Sequence, residues 1–110
     1  MKHQIREDRG HLIVSFEGDV DMQNSPEARN VLLKNLEKKM PILVDLSQVS
    51  YIDSSGVASL VESLQTAKRN NSEFALVSVS GEARRVLQLA RLDKIFTIHE
   101  TLEDAFADAG

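Results

Sequence analysis

The chain has 110 residues, enough for one domain whose single core buries about two thirds of its unfolded surface. Hydrophobic residues make up 42% and charged residues 27%, the balance of an ordinary globular protein, and no apolar run is long enough to span a membrane or form a signal-peptide core. A formal charge of -4 argues against a general nucleic-acid surface; the absence of cysteine excludes disulfides and thiolate metal sites and suits the cytoplasm.

In chain order, Gln4 to Glu7 and His11 to Glu17 read as strands. Leu12, Val14 and Phe16 alternate with Ile13, Ser15 and Glu17, a half-buried period of two. The connection Asp8-Arg9-Gly10 has turn chemistry, so the two strands are expected to form an antiparallel hairpin. Gly18-Asp19-Val20-Asp21 ends the second strand, with Val20 as a buried anchor and Asp19 and Asp21 near the surface. Asn24-Ser25-Pro26-Glu27 then opens a helix: a capping residue, a proline at the first helical position and an acid in the first turn. Ala28, Val31, Leu32, Leu36 and Met40 supply its apolar stripe.

The stretch from Ile42 to Val57 organises the rest. Ile42 to Leu46 is a short apolar run broken only by Asp45, as in a strand covered on both faces. Asp53, Ser54 and Ser55 have side-chain oxygens that accept from the unpaired amides of a helix's first turn, and Gly56 lets its backbone be approached closely from outside. The following helix runs from Ser54 to Asn70, about 25 Å long. Val57, Leu60, Val61, Leu64 and Ala67 face inward; Ser59, Glu62, Ser63, Gln65, Thr66 and Arg69 fall on the opposite face. Asn70-Asn71-Ser72 stops it. The Asp-Ser-Ser-Gly turn therefore lies at the carboxyl end of a strand, where open α/β sheets carry their sites. By itself this turn is compatible with a plain helix cap or with a hydroxyl that accepts a phosphoryl group.

Phe74 to Val79 reads as the next interior strand. Ser80-Gly81-Glu82 opens a third helix with Ala83, Val86, Leu87 and Ala90 inward and Arg84, Arg85, Gln88 and Arg91 outward. A short strand, Ile95 to His99, precedes a last helix capped by Thr101, with Leu102, Ala105 and Phe106 inward. The order β-β-α-β-α-β-α-β-α predicts one α/β domain over residues 1–110, with a mixed sheet, an N-terminal hairpin, right-handed helical crossovers and four helices.

His3, His11 and His99 stand singly without a partner at helical spacing, so no metal site is expected. No G-x-S-x-G, no glycine-rich phosphate loop and no histidine near Ser54 occurs, so neither catalysis nor a cofactor is predicted. A phosphoacceptor receiver domain does not fit either, because the first strand returns as a hairpin and Lys94 precedes the final strand.

Over nearly its whole length the chain resembles a STAS domain of the anti-sigma factor antagonist type found in sporulation and general-stress switches. The resemblance rests on Gly18-Asp19-Val20-Asp21, Leu43-Val44-Asp45-Leu46, Ala83-Arg84-Arg85-Val86-Leu87, Leu92-Asp93-Lys94-Ile95-Phe96 and, above all, Val49-Ser50-Tyr51-Ile52-Asp53-Ser54-Ser55-Gly56. It implies a STAS fold and a protein that binds an anti-sigma factor which is also a serine kinase of the histidine-kinase-like ATPase fold. Phosphorylation of Ser54 would end that binding, and a PP2C-type, metal-dependent serine phosphatase would reverse the mark. The implied binding face comprises Asp21, Asp53, Ser54, Ser55 and Gly56, with Ser59 and Glu62 as exposed positions of the following helix. The alternative is a non-switching STAS subunit of an ABC-type lipid transport complex, expected to carry threonine and glycines where Ser54 and Ser55 stand here. No nucleic-acid or membrane partner is implied, and a monomer is the expected free state.

Overall fold

The computed structural model describes residues 1–109. Strands β1 (Lys2–Asp8) and β2 (His11–Val20) form the antiparallel hairpin, in continuous register from Lys2 opposite Glu17 to Asp8 opposite His11. Arg9 and Gly10 close it with φ of 51° and 79°. A two-residue turn with both φ positive matches the twist of the strands it joins. From there the chain alternates: α1 (Ser25–Leu36), β3 (Ile42–Ile52), α2 (Ser54–Arg69), β4 (Phe74–Val77), α3 (Gly81–Leu89), β5 (Thr97–His99) and α4 (Leu102–Ala109). The sheet order is β1-β2-β3-β4-β5, with every pair after the hairpin parallel. Hairpin, mixed sheet and element order all agree with the sequence pattern.

The alternation of each strand divides the interior in two. Leu12, Val14, Phe16, Ile42, Val44, Leu46, Phe74 and Leu76 point to one face and pack with Ala28, Leu32 and Leu36 of α1, Leu60 and Leu64 of α2, and Ala83 and Leu87 of α3. Ile13, Leu43, Ala75 and Val77 point to the other face, where α4 covers them with Ala105, Leu102 and Phe106. Each large side chain buried this way contributes roughly 1.5–3 kcal/mol. The hairpin turn is fastened to α4 as well: the Arg9 guanidinium lies 4.5 Å from the centre of the Phe106 ring and 3.2 Å from Glu103, and His11 meets Phe106 edge-on.

Some boundaries differ from the sequence expectation. β2 and β3 run further, to Val20 and Ile52, because they go on pairing with each other past two register shifts. The β3–β4 ladder stops at Asp45 opposite Val77, so the second half of β3 is paired on one side only and carries exposed Ser47, Gln48, Ser50 and Tyr51. β4 ends before Ser78, which turns the chain with a φ of 51°. Ile95 lies outside β5 and is 51% exposed, and Ala90, expected inward, is exposed at the end of α3. α2 stops where predicted: Asn71 adopts a φ of 56°, a left-handed residue that asparagine tolerates, and the Ser72 amide returns to the Ala67 carbonyl.

Candidate functional site

β2 and β3 end side by side, Val20 opposite Ile52, and each passes directly into an acid. Asp21 begins a turn that feeds α1. Its Oδ1 accepts from the amides of Gln23 (3.1 Å) and Asn24 (3.0 Å), and its carbonyl accepts from Ser25 (2.7 Å). Asp21 thus supplies the cap expected from Asn24. Because the helical turn starts three residues early, Asn24 is already in helical conformation (φ -99°, ψ -17°) and makes no side-chain cap bond; its amide side chain donates instead to the Asp19 carbonyl.

Asp53 is the N-cap of α2, in extended conformation. Its Oδ1 accepts from the Ser55 amide (2.9 Å), the Gly56 amide (3.1 Å) and the Ser55 hydroxyl (2.6 Å). Its Oδ2 accepts from the Met22 amide at 3.0 Å, which ties the β2–α1 loop to the start of α2. The Ser55 hydroxyl first, then the Gly56 amide, hold the Asp53 carboxyl below its ordinary value; partial burial opposes them and the Met22 and Ser55 amides add to them. Asp53 is therefore an anion with four donors fixed on it, and the Ser55 hydroxyl is spent on that network.

Ser54 is what remains. As the first residue of α2 it is exposed, and its hydroxyl has no hydrogen-bond partner among the described residues. The hydroxyl sits at the positive end of a helix of 16 residues, where an anion is favoured by the dipole and the free amides. Asp19 and Asp21 stand nearby at the end of β2, so the surroundings beyond the helix end are acidic.

Two expected members of the exposed face are buried. Gly56 is approached from inside the protein: a Cβ there would lie 2.3 Å from the Val20 carbonyl oxygen and 2.7 Å from Ile52. Its small size closes the packing between α2 and the end of β2 and presents nothing to a partner. Ser59 is 6% exposed, because α1 packs across this side of α2; its hydroxyl lies 3.2 Å from the Ser25 carbonyl and 3.1 Å from the Ser55 carbonyl. Ser63 follows it into the same contact, donating to the Ser59 carbonyl. Serines bury there because a hydroxyl can bond the carbonyl four residues back while its small volume admits the neighbouring helix. Glu62 is on the surface, but it is engaged: Oε2 meets Nη2 of Arg29 on α1 at 2.7 Å, which raises the Arg29 pKa through that hydrogen bond and its charge.

Met22 carries a signal that the sequence pattern did not mark. It is 77% exposed, beside Asp21, with its own amide held by Asp53. An apolar side chain directly after an acid in a loop was the available clue.

The chain is thus an α/β domain whose mixed five-stranded sheet carries an acid-capped serine at the carboxyl end of its central strand. Residues 2–105 match the STAS domain family, and the chain belongs to it. The anti-sigma-B factor antagonist of Listeria monocytogenes is 26% identical over 97 residues, covering 86% of this chain and 85% of that protein. An anti-sigma factor antagonist from Mycobacterium paratuberculosis superimposes with a TM-score of 0.88 at 28% identity, over 97% of this chain and 92% of that one. The anti-sigma factor antagonist SpoIIAA, at 19% identity, shares the fold in its unphosphorylated form (TM-score 0.80, covering 98% and 96%). It shares it in the phosphorylated form too (TM-score 0.75, covering 99% and 100%). Among the described residues no helix is long and apolar enough to cross a membrane.

Proposed function

We infer that this protein is an anti-sigma factor antagonist that works as a phosphorylation switch at Ser54. In its unmodified form it binds an anti-sigma factor that is also a serine kinase of the histidine-kinase-like ATPase fold, and so frees the sigma factor or other target. Phosphorylation of Ser54 ends the binding, and a PP2C-type serine phosphatase restores it. The observation that carries this reading is the free, exposed Ser54 hydroxyl on a turn where the Asp53 carboxylate is already bonded to the Ser55 hydroxyl and to the Met22, Ser55 and Gly56 amides. The names of the relatives supply the kind of partner.

The docking face is built from Asp21, Met22, Asp53 and Ser54, with the half-buried Ser55 behind them and the Arg29–Glu62 pair at its margin. Phosphate on Ser54 adds close to two negative charges to the end of a helix, which tolerates an anion well. The cost falls on the partner: a surface fitted to a neutral hydroxyl must now meet a dianion beside Asp53, a mismatch worth several kcal/mol and hence orders of magnitude in affinity. The mark changes the surface and leaves the fold alone. That both forms of SpoIIAA share one fold is in keeping with this.

The test is capture from lysate of the source organism with wild type and Ser54→Glu as baits. Recovery of a histidine-kinase-like ATPase by wild type alone is the expected result. Equal recovery of ABC-transporter subunits by both baits would overturn the switch and leave Ser54 as an ordinary helix-start residue.

A further inference from the structure

The sheet has two edges, and they are finished differently. β5 has three residues and runs straight into α4, so it offers almost no free ladder. β1 has seven, is exposed along nearly its whole length, and pairs with β2 without a single register shift. It contains no proline, glycine or bulge, the usual devices that spoil an edge. Its main-chain groups can be assigned. The two-residue turn closes on a hydrogen-bonded pair, Asp8 with His11, and bonded and non-bonded pairs alternate along an antiparallel ladder. Asp8, Arg6, Gln4 and Lys2 therefore turn their amides and carbonyls toward β2. Glu7, Ile5 and His3 turn theirs to the open side.

The side chains of β1 are complementary to their own reversal. If a second β1 is laid antiparallel about a two-fold axis through Ile5, Lys2 comes opposite Asp8 of the second copy, His3 opposite Glu7, Gln4 opposite Arg6, and Ile5 opposite Ile5. Lys2 meets an acid of opposite charge and His3 meets a carboxylate to which its ring can donate, and each pairing occurs twice across the axis. The central pair joins two isoleucines that are each 40% exposed in the single chain, on the face shared with Val14. Like charges oppose each other nowhere in this register. A strand protected only by its charges would not need them in this order.

We propose that β1 is a self-association edge: two copies of this chain pair antiparallel through β1, in register about Ile5, to form one continuous sheet. His3, Ile5 and Glu7 exchange main-chain hydrogen bonds across the axis, and the two Lys2–Asp8 pairs of opposite charge, with the central isoleucine pair, fix the register. This dimer replaces the monomer expected from the sequence. The contact is a single strand on each side and is small by the measure of stable interfaces, so the dimer is reversible, with a dissociation constant in roughly the micromolar-to-millimolar range. β2 lies between β1 and the end of β3, so pairing at this edge leaves Ser54 uncovered.

Sedimentation velocity across a concentration series tests it, on chain carrying no N-terminal tag. Wild type is expected to show a concentration-dependent dimer. Ile5→Pro removes an outward amide at an edge position where proline is tolerated, and is expected to sediment as a monomer with an unchanged circular dichroism spectrum. Asp8→Lys places lysine against Lys2 and is expected to weaken dimerisation by about tenfold, while the double variant Lys2→Asp/Asp8→Lys restores it. A wild type that stays monomeric up to about 1 mM overturns the proposal, since a contact weaker than that has no useful affinity. So does a dimer unaffected by Asp8→Lys, which would have to form through another surface.

Discussion

Two of the strand-to-helix turns, those into α2 and α3, begin with serines put to opposite uses. At α3, Ser80 is itself the cap: its hydroxyl accepts from the Ala83 amide at 3.2 Å and donates to the Val49 carbonyl at 2.8 Å. At α2 a carboxylate takes the capping role, and Ser54, one residue later, keeps its hydroxyl free. The glycines of the two first turns differ in the same sense. Gly56 is wedged against Val20, whereas a Cβ on Gly81 would meet nothing within 4 Å. A turn that must present a hydroxyl is locked by everything around that hydroxyl; a turn with no such task uses its serine as mortar.

Substitutions at the serine and the glycine of each turn should separate the two. The largest effect is expected at Gly56→Ala, whose Cβ overlaps the Val20 carbonyl: a loss of about 2–3 kcal/mol in urea unfolding, against a change within about 0.5 kcal/mol for Gly81→Ala. Equal losses would mean that the packing of Gly56 is no tighter than that of Gly81. Ser80→Ala should come next, at about 1–2 kcal/mol for a lost cap and a carbonyl left without its donor, while Ser54→Ala should stay within about 0.5 kcal/mol. If both serines proved equally costly, the Ser54 hydroxyl would be structural after all.

The smallest effect concerns acid. The folded-state pKa of Asp53 is depressed, so the stability due to its charge is fully present above the ordinary unfolded value of about 3.9 and is lost as pH falls through the lower folded value. Asp53→Asn keeps a capping oxygen and removes the charge. The unfolding midpoint of wild type should exceed that of the variant at neutral pH, and the gap should narrow below about pH 3.9. A gap that ignores pH would show that the amides around Asp53 do not favour its charged form.

Much of the architecture was legible in the sequence, because period-two strands, apolar helical stripes and turn residues are all local signals. The buried stripe of α2, its stop at Asn71 and the anchoring role of Val20 appear where those signals put them. What failed to show was contact between elements. Ser59 and Ser63 are polar by type, and only the approach of α1 makes a column of small hydroxyls the right filling for an interior helix seam. Gly56 advertises a close approach, but from the sequence that approach was expected from outside, and it comes from β2 within the protein. The cap of α1 shifted from Asn24 to Asp21 because a whole turn was added ahead of the helix, which no single residue announces. Asp53 was readable as a cap; its bond to Met22, between residues far apart in the chain, was not.

That last bond has a consequence for folding. The corner that displays Ser54 is assembled from the ends of β2 and β3, two parallel strands joined through α1, and parallel pairing across a helical crossover is a non-local step that comes slowly. Before it closes, Ser54 belongs to a chain whose Asp53 has no Met22 amide to hold and whose Gly56 has no Val20 to rest on. A nascent chain, or one opened along the β2–β3 seam, therefore carries the residue without its frame. The geometry that holds out the hydroxyl also confines its display to the finished domain.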